Sequence, residues 1–248
     1  MSLFSRKREP KPGHEVHPDF TANTGTHYLS VMDRLEEVLK PTLYLEIGAR
    51  SGTSLARRKC SFVAVDPKFV ITADVFNDAP QMLFFQQTSD DFFGSGALGG
   101  AGLVPDLAFI DGMHLFEYAL RDFINCERAM RPGGVICLHD VLPFNYAMTT
   151  RDLDYLEVLR RPWAGDVWKV MAVLAEYRPD LTVELLSAAK TGLGVVSRLD
   201  PANTVLTDRM DEILARYGEL ELETMGARAY FERVPPKAPE ALSLWARG

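Results

Sequence analysis

The sequence predicts an α/β protein with a seven-stranded, mostly parallel sheet containing one antiparallel strand, and helices on both faces. Three observations predict it. Short apolar runs closed by Gly, Pro or Asp alternate with helical stretches between residues 42 and 140. The runs are apolar throughout, as parallel strands buried on both faces are. The last two runs are joined by too short a link for a parallel crossover, so an antiparallel pair is expected there.

The elements follow in order. Residues 1–18, with Arg6, Lys7 and Arg8, read as a mobile basic tail. Leu29, Val31, Met32, Leu35, Val38 and Leu39 recur at spacings of three and four, which predicts an amphipathic helix over Tyr28–Leu39, ended by Pro41. Residues 42–47 form the first strand and run into Gly48-Ala49-Arg50-Ser51-Gly52, with a helix expected from Thr53. Ser61–Val65 is the second strand, closed by Asp66-Pro67. Met82–Phe85 is the third, followed by a polar run from Gln86 to Asp91, and Gly94 to Gly102 reads as a flexible link.

Leu107–Ile110 is the fourth strand and ends in Asp111-Gly112-Met113-His114. A helix from Phe116 to Met130 follows and is broken by Arg131-Pro132-Gly133-Gly134. Val135–Leu138 is the fifth strand, leading to His139-Asp140. Beyond a loop come a helix over Val167–Tyr177, strands over Leu181–Leu186 and Gly192–Val196, a helix from Thr207 to Leu222 and a Pro-rich end. Residues 19–199 are the expected domain, and 200–248 a helical extension expected to serve as an arm for a homo-oligomer.

Composition narrows the function classes. The formal net charge of −7 disfavours a surface that neutralises nucleic-acid phosphates, so a small-molecule acceptor is expected and no nucleic acid. The three cysteines include no C-x-x-C pair, which fits neither a disulfide framework nor a structural zinc site and suits a reducing cytoplasm. No apolar run approaches the roughly 20 residues that cross a bilayer, so no membrane partner is expected.

The chemistry gathers at the strand ends. Gly48 permits a sharp turn and Gly52 a close approach of backbone to ligand. Asp66 closes the second strand about 20 residues beyond Glu46, where a nucleotide-binding α/β fold holds the carboxylate for two ribose hydroxyls. The spacing G-x-x-x-G departs from the G-x-G-x-x-G of dinucleotide enzymes. Glu46 beside the loop repels a pyrophosphate and suits a ligand bearing a sulfonium and an ammonium, which argues against NAD.

Glu46-Ile47-Gly48-Ala49-Arg50-Ser51-Gly52, Val65-Asp66, Phe109-Ile110-Asp111-Gly112-Met113-His114 and the run from Arg131 to His139-Asp140 together resemble the successive motifs of Rossmann-like class I S-adenosylmethionine-dependent methyltransferases. Within that class the D-G-x-H and H-D pairs are similar to the macrocin-type sugar O-methyltransferases and the cephalosporin-hydroxylase-like proteins. The resemblance covers about Thr42 to Asp140.

It implies S-adenosylmethionine as cofactor, with Glu46, Gly48, Arg50 and Gly52 along its methionine end and Ser54 binding its carboxylate at a helix N-terminus. Asp66 would hold the ribose, and Gln87, Thr88, Ser89 and Asp90 the adenine. Asp111 would face the reactive sulfur, and His114 would be the base that takes a proton from an acceptor hydroxyl. Asp111, His139 and Asp140 are the implied ligands of a divalent ion, Mg²⁺ or Mn²⁺. His139 departs from the usual carboxylate, and either shifts selectivity toward Mn²⁺, Fe²⁺ or Zn²⁺ or marks a site without metal.

The expected reaction is methyl transfer to a hydroxyl of a sugar or secondary metabolite. The alternative is a binding protein or hydroxylase-like enzyme on the same fold. Phe144, Tyr155, Trp163 and Trp168 are candidates for an aromatic lid or for core anchors, and His27 and Tyr28 for the pocket mouth.

Overall fold

The structure is a computed structural model that describes residues 15–21, 23–76, 78–153 and 162–247. Tyr155 and most of the basic N-terminal segment lie outside them. Helix α1 (Tyr28–Leu39) is capped by His27, whose Nδ1 accepts the Leu29 amide, and ends on Lys40 in the left-handed region. Strands β1 (Leu43–Ile47), β2 (Ser61–Val65), β3 (Met82–Phe85), β4 (Leu107–Ile110) and β5 (Val135–His139) pair in parallel. β6 (Thr182–Leu186) and β7 (Leu193–Ser197) complete the expected seven, and a two-residue β8 (Pro236–Lys237) makes an eighth. The sheet order is β3-β2-β1-β4-β5-β7-β6-β8, with β7 antiparallel to both its neighbours.

Side-chain alternation divides the core between the two faces of the sheet. Leu43, Leu45, Ile47, Ala108, Ile110, Ile136 and Leu138 pack with α4 (Phe116–Ala129) and α5 (Trp168–Tyr177) on one face. Tyr44, Phe62, Phe109 and Cys137 pack with Val31, Met32 and Leu35 of α1 on the other. That second face carries Glu46 and His139 out at the strand ends, beneath α1.

The helix expected after Thr53 is a three-residue 3-10 turn, Leu55–Arg57. Arg58 explains the short turn: it is buried, its guanidinium is spent on Asp33 and Glu36 of α1, and the chain enters β2 three residues later. α1 thus covers the face that a crossover helix would have covered. The polar run continues into a short helix, α2 (Ser89–Gly94), capped by Thr88, and the expected flexible link holds another, α3 (Ala97–Gly100). The single helix expected over Thr207–Leu222 is broken into short pieces, Val205–Asp208, Met210–Tyr217 and Leu222–Met225, followed by Ala227–Arg233.

These C-terminal pieces bury Leu206, Ile213, Tyr217, Leu222 and Tyr230 in the same core, and the Tyr230 hydroxyl donates to the carbonyl of Val141 at 2.7 Å. Trp168 is fully buried edge-on to Tyr230 and is a core anchor rather than part of a lid. Among the described residues no helix is long and apolar enough to cross a membrane.

Candidate active site

A cavity of about 1440 Å³ opens at the carboxyl ends of the parallel strands, where open α/β sheets bind ligands. Its first wall is the β1 rim. Gly48 has φ +91°, and a Cβ there would stand 2.1 Å from the carbonyl oxygen of Asp111, so only glycine lets the β1 loop and the β4 loop touch. Gly52 has φ +74° and does not line the cavity; its missing Cβ makes room for Val75 in the turn.

Glu46 is buried, and the alternation that puts Tyr44 on its face lets the Tyr44 hydroxyl donate to it at 2.7 Å. Ser54 donates to its other oxygen. Ser54 is therefore turned toward Glu46 and also lines the cavity, at the head of a 3-10 turn rather than of an α-helix. Burial pushes the Glu46 carboxyl up to about 7 against the two hydrogen bonds, with the charge of Asp111 adding to the rise.

Asp66, at the end of β2, lines the cavity and receives the amides of Arg50 at 3.0 Å and Lys68 at 2.7 Å, one on each oxygen. A carboxylate has about four acceptor positions, so two remain for ligand hydroxyls. Thr88, Ser89 and Asp90 line the cavity beyond β3, whereas Gln87 does not. Asp90 is held by Arg121 at 2.8 Å.

At the ends of β4 and β5 four side chains close on one another. Asp111 Oδ1 lies 3.2 Å from His114 Nε2 and 3.1 Å from His139 Nδ1. Asp140 Oδ2 lies 3.3 Å from both His114 Nδ1 and His139 Nδ1. His114 and Asp140 both have positive φ, 58° and 60°, backbone positions that non-glycine residues occupy at a cost and that cluster at functional sites. The carbonyl of His114 accepts the Asp166 amide at 3.1 Å, and the absent Cβ of Gly165 leaves room for it. Trp163 lies against the His114 ring at 5.0 Å, and Tyr28 against His139 at 4.1 Å.

Burial disfavours charge in this cluster, but the paired charges outweigh it. Asp111 is held below the ordinary carboxylate range by His139 and His114. His114 is raised by Asp140 and Asp111, and His139 is pushed up to about 10 by the same two carboxylates. The structure thus brings together every residue expected at the reactive end: Asp111, His114, His139 and Asp140.

Sequence reasoning missed Asp122, Thr191 and Lys190, which also line the cavity. Asp122 sits inside an amphipathic helix where an acid reads as solvated surface. Thr191 and Lys190 come from the β6–β7 link, which no motif marks.

Residues 45–141, from within β1 to the residue after Asp140, match the family model described as "Methyltransferase domain". No curated protein matches the chain. Among solved structures the chain is similar to cofactor-bound Rv0187 from MTB, at 18% identity and TM-score 0.53, over 70% of this chain and 80% of that one. The O-methyltransferase TomG from Streptomyces achromogenes, solved with SAM, aligns at 18% identity and TM-score 0.48, over 70% of this chain and 80% of its own. An O-methyltransferase from Bacillus cereus, solved with SAH, aligns at 17% and 0.47, over 75% and 84%. The likeness to Rv0187 establishes the fold, and the match to the methyltransferase-domain model, over residues 45–141, spans both the β1 rim and the four-residue cluster.

Proposed function

We propose that the chain transfers the methyl group of S-adenosylmethionine to a hydroxyl of a small-molecule acceptor. One observation carries this reading: Asp111 and His114 stand 3.2 Å apart in the same cavity that Glu46 and Asp66 line, so a proton acceptor and a nucleoside rim share one enclosed space. The residues fit the donor: Glu46 is a buried acid for the ammonium end, and Asp66 keeps free acceptor positions for ribose hydroxyls. The bound donor supplies a methyl carbon already activated by positive sulfur.

The chain's own task is then alignment and removal of the hydroxyl proton. The charges of Asp140 and Asp111 raise the basicity of His114 against the effect of burial. With positive charge against those carboxylates the ring returns toward ordinary imidazole basicity and can accept the acceptor's proton. Both of its nitrogens face carboxylates, so the incoming hydroxyl must take the place of one of these contacts. Trp163, Phe144 and Tyr28 give the acceptor side an apolar, aromatic wall.

A metal-assisted variant of the same reaction is favoured by a specific observation. Asp111, His139 and Asp140 each offer a ligand atom, all within 4.8 Å of one another. The other ring nitrogen of His139, Nε2, lies 3.3 Å from Thr191 Oγ1, the outer contact that fixes a metal-binding imidazole tautomer. A mixed oxygen and nitrogen donor set suits Mn²⁺ or a later divalent metal better than Mg²⁺. Three free cysteines, two of them buried, are consistent with work in a reducing cytoplasm.

The test is methyl transfer from labelled S-adenosylmethionine to a panel of sugar and phenolic hydroxyls, with and without EDTA, in the wild type and His114→Ala. The expected result is turnover on at least one acceptor and a loss of about 10²–10⁴ in the variant with donor affinity kept. Full activity in His114→Ala removes the base assignment.

A further inference from the structure

We propose that Asp122 reads the base of the methyl donor, its carboxylate accepting a hydrogen bond from the 6-amino group of adenine; this rests on the donor reading above. Asp122 lies on α4, is 3% exposed and lines the cavity. Its Oδ1 has no hydrogen-bond partner among the described residues. Its neighbour Arg121, the obvious counter-ion, is turned away to Asp90. The side-chain contact it does make is with Ser89, at the start of α2, and its Oδ2 lies close to the backbone of Gly112 in the β4 loop. Asp122 therefore stands between the loops that follow β3 and β4.

A buried carboxylate without a cation or a full set of donors is costly, and such a group in a binding cavity is explained by a donor that arrives with the ligand. Burial, opposed by the Ser89 hydrogen bond and aided by the charge of Asp90, pushes the carboxyl up to about 7, which shows how poorly its own surroundings satisfy it. The donor molecule carries two nitrogen groups that donate hydrogen bonds, its ammonium and its 6-amino group. Glu46 is placed for the first, which leaves the second for Asp122. The same contact discriminates: a 6-oxo purine sets a carbonyl oxygen where adenine sets its amino group, so the carboxylate loses its donor at that position and keeps at most a shifted contact with N1–H.

The experiment is calorimetry on the full chain with S-adenosylhomocysteine and its 6-oxo analogue S-inosylhomocysteine. The wild type is expected to bind the adenosyl compound about tenfold or more tightly than the inosyl compound. Asp122→Asn, whose amide both accepts and donates, should bring the two within a few-fold. Asp122→Ala should lose adenosyl affinity by about tenfold while inosyl affinity stays level or improves. A wild-type preference retained in Asp122→Asn overturns the assignment and leaves the donor reading standing. Binding of neither compound by the wild type overturns both. Asp122→Asn keeps size and shape, so the result does not depend on whether Asp122→Ala folds.

Discussion

Gly48 and Asp111 touch through their backbones: the position of a Cβ on Gly48 falls 2.1 Å from the Asp111 carbonyl oxygen. The loop after β1 and the loop that carries Asp111 are thereby set against each other. Gly48→Ala forces them apart and strains a residue at φ +91°. It should destabilise the protein by about 1–3 kcal/mol and weaken both donor binding and turnover. Thermal unfolding together with S-adenosylhomocysteine calorimetry checks this; an unchanged midpoint and unchanged affinity would contradict the contact.

Glu46 supplies a pH dependence. Its carboxyl is raised to about 7 in the folded protein, so between its ordinary range and about 7 the folded state holds a proton that the unfolded state has released. The stability this confers is fully present in acid and is lost as the pH rises through about 7. Over the same range the negative charge that attracts the donor's ammonium appears. Affinity for S-adenosylhomocysteine should therefore increase as the pH rises from about 5.5 to about 8, at most about tenfold per pH unit. Glu46→Gln should flatten that profile and bind more weakly at the high end; a wild-type profile retained in the variant would assign the dependence elsewhere.

Asp66 holds the backbone of its own loop through the amides of Arg50 and Lys68. Asp66→Ala should weaken binding by about 1–3 kcal/mol through lost hydroxyl contacts. Asp66→Asn keeps an acceptor oxygen and should recover part of the loss. Equal affinity in all three proteins, measured by calorimetry, would remove Asp66 from the ribose site.

The metal reading has its own test. Titration of Mn²⁺ into the wild type should give saturable binding, and Asp140→Asn or His139→Ala should lower the affinity by about tenfold or more. Binding that is unchanged in both variants would place the ion elsewhere. No binding to the wild type, together with turnover insensitive to EDTA, would leave His114 and Asp111 as the proton-handling pair without a metal.

The parts of this site that were legible in the sequence sit where a strand stops. Glu46, Asp66, Asp111 and Asp140 each end or follow an apolar run, and a strand end fixes direction and depth with little help from distant residues. Segments governed by tertiary packing were not legible. The 3-10 turn at Leu55–Arg57 replaces a helix because Arg58 is drawn to Asp33 and Glu36 of α1, an ion-pair network that no local pattern announces. The C-terminal helix breaks because Tyr217, Leu222 and Tyr230 must each reach the same core. Ser54, expected at the start of an α-helix, instead heads that 3-10 turn and donates to Glu46.

The central claim is that the rim of Glu46 and Asp66 grips an adenosyl group joined to charged sulfur. Calorimetric titration of S-adenosylhomocysteine into the full chain near pH 8, repeated with Asp66→Ala, tests it most directly. The account predicts saturable binding at one site per chain, weakened in the variant. Absence of binding at millimolar ligand, by a wild type that is folded by circular dichroism, would contradict it.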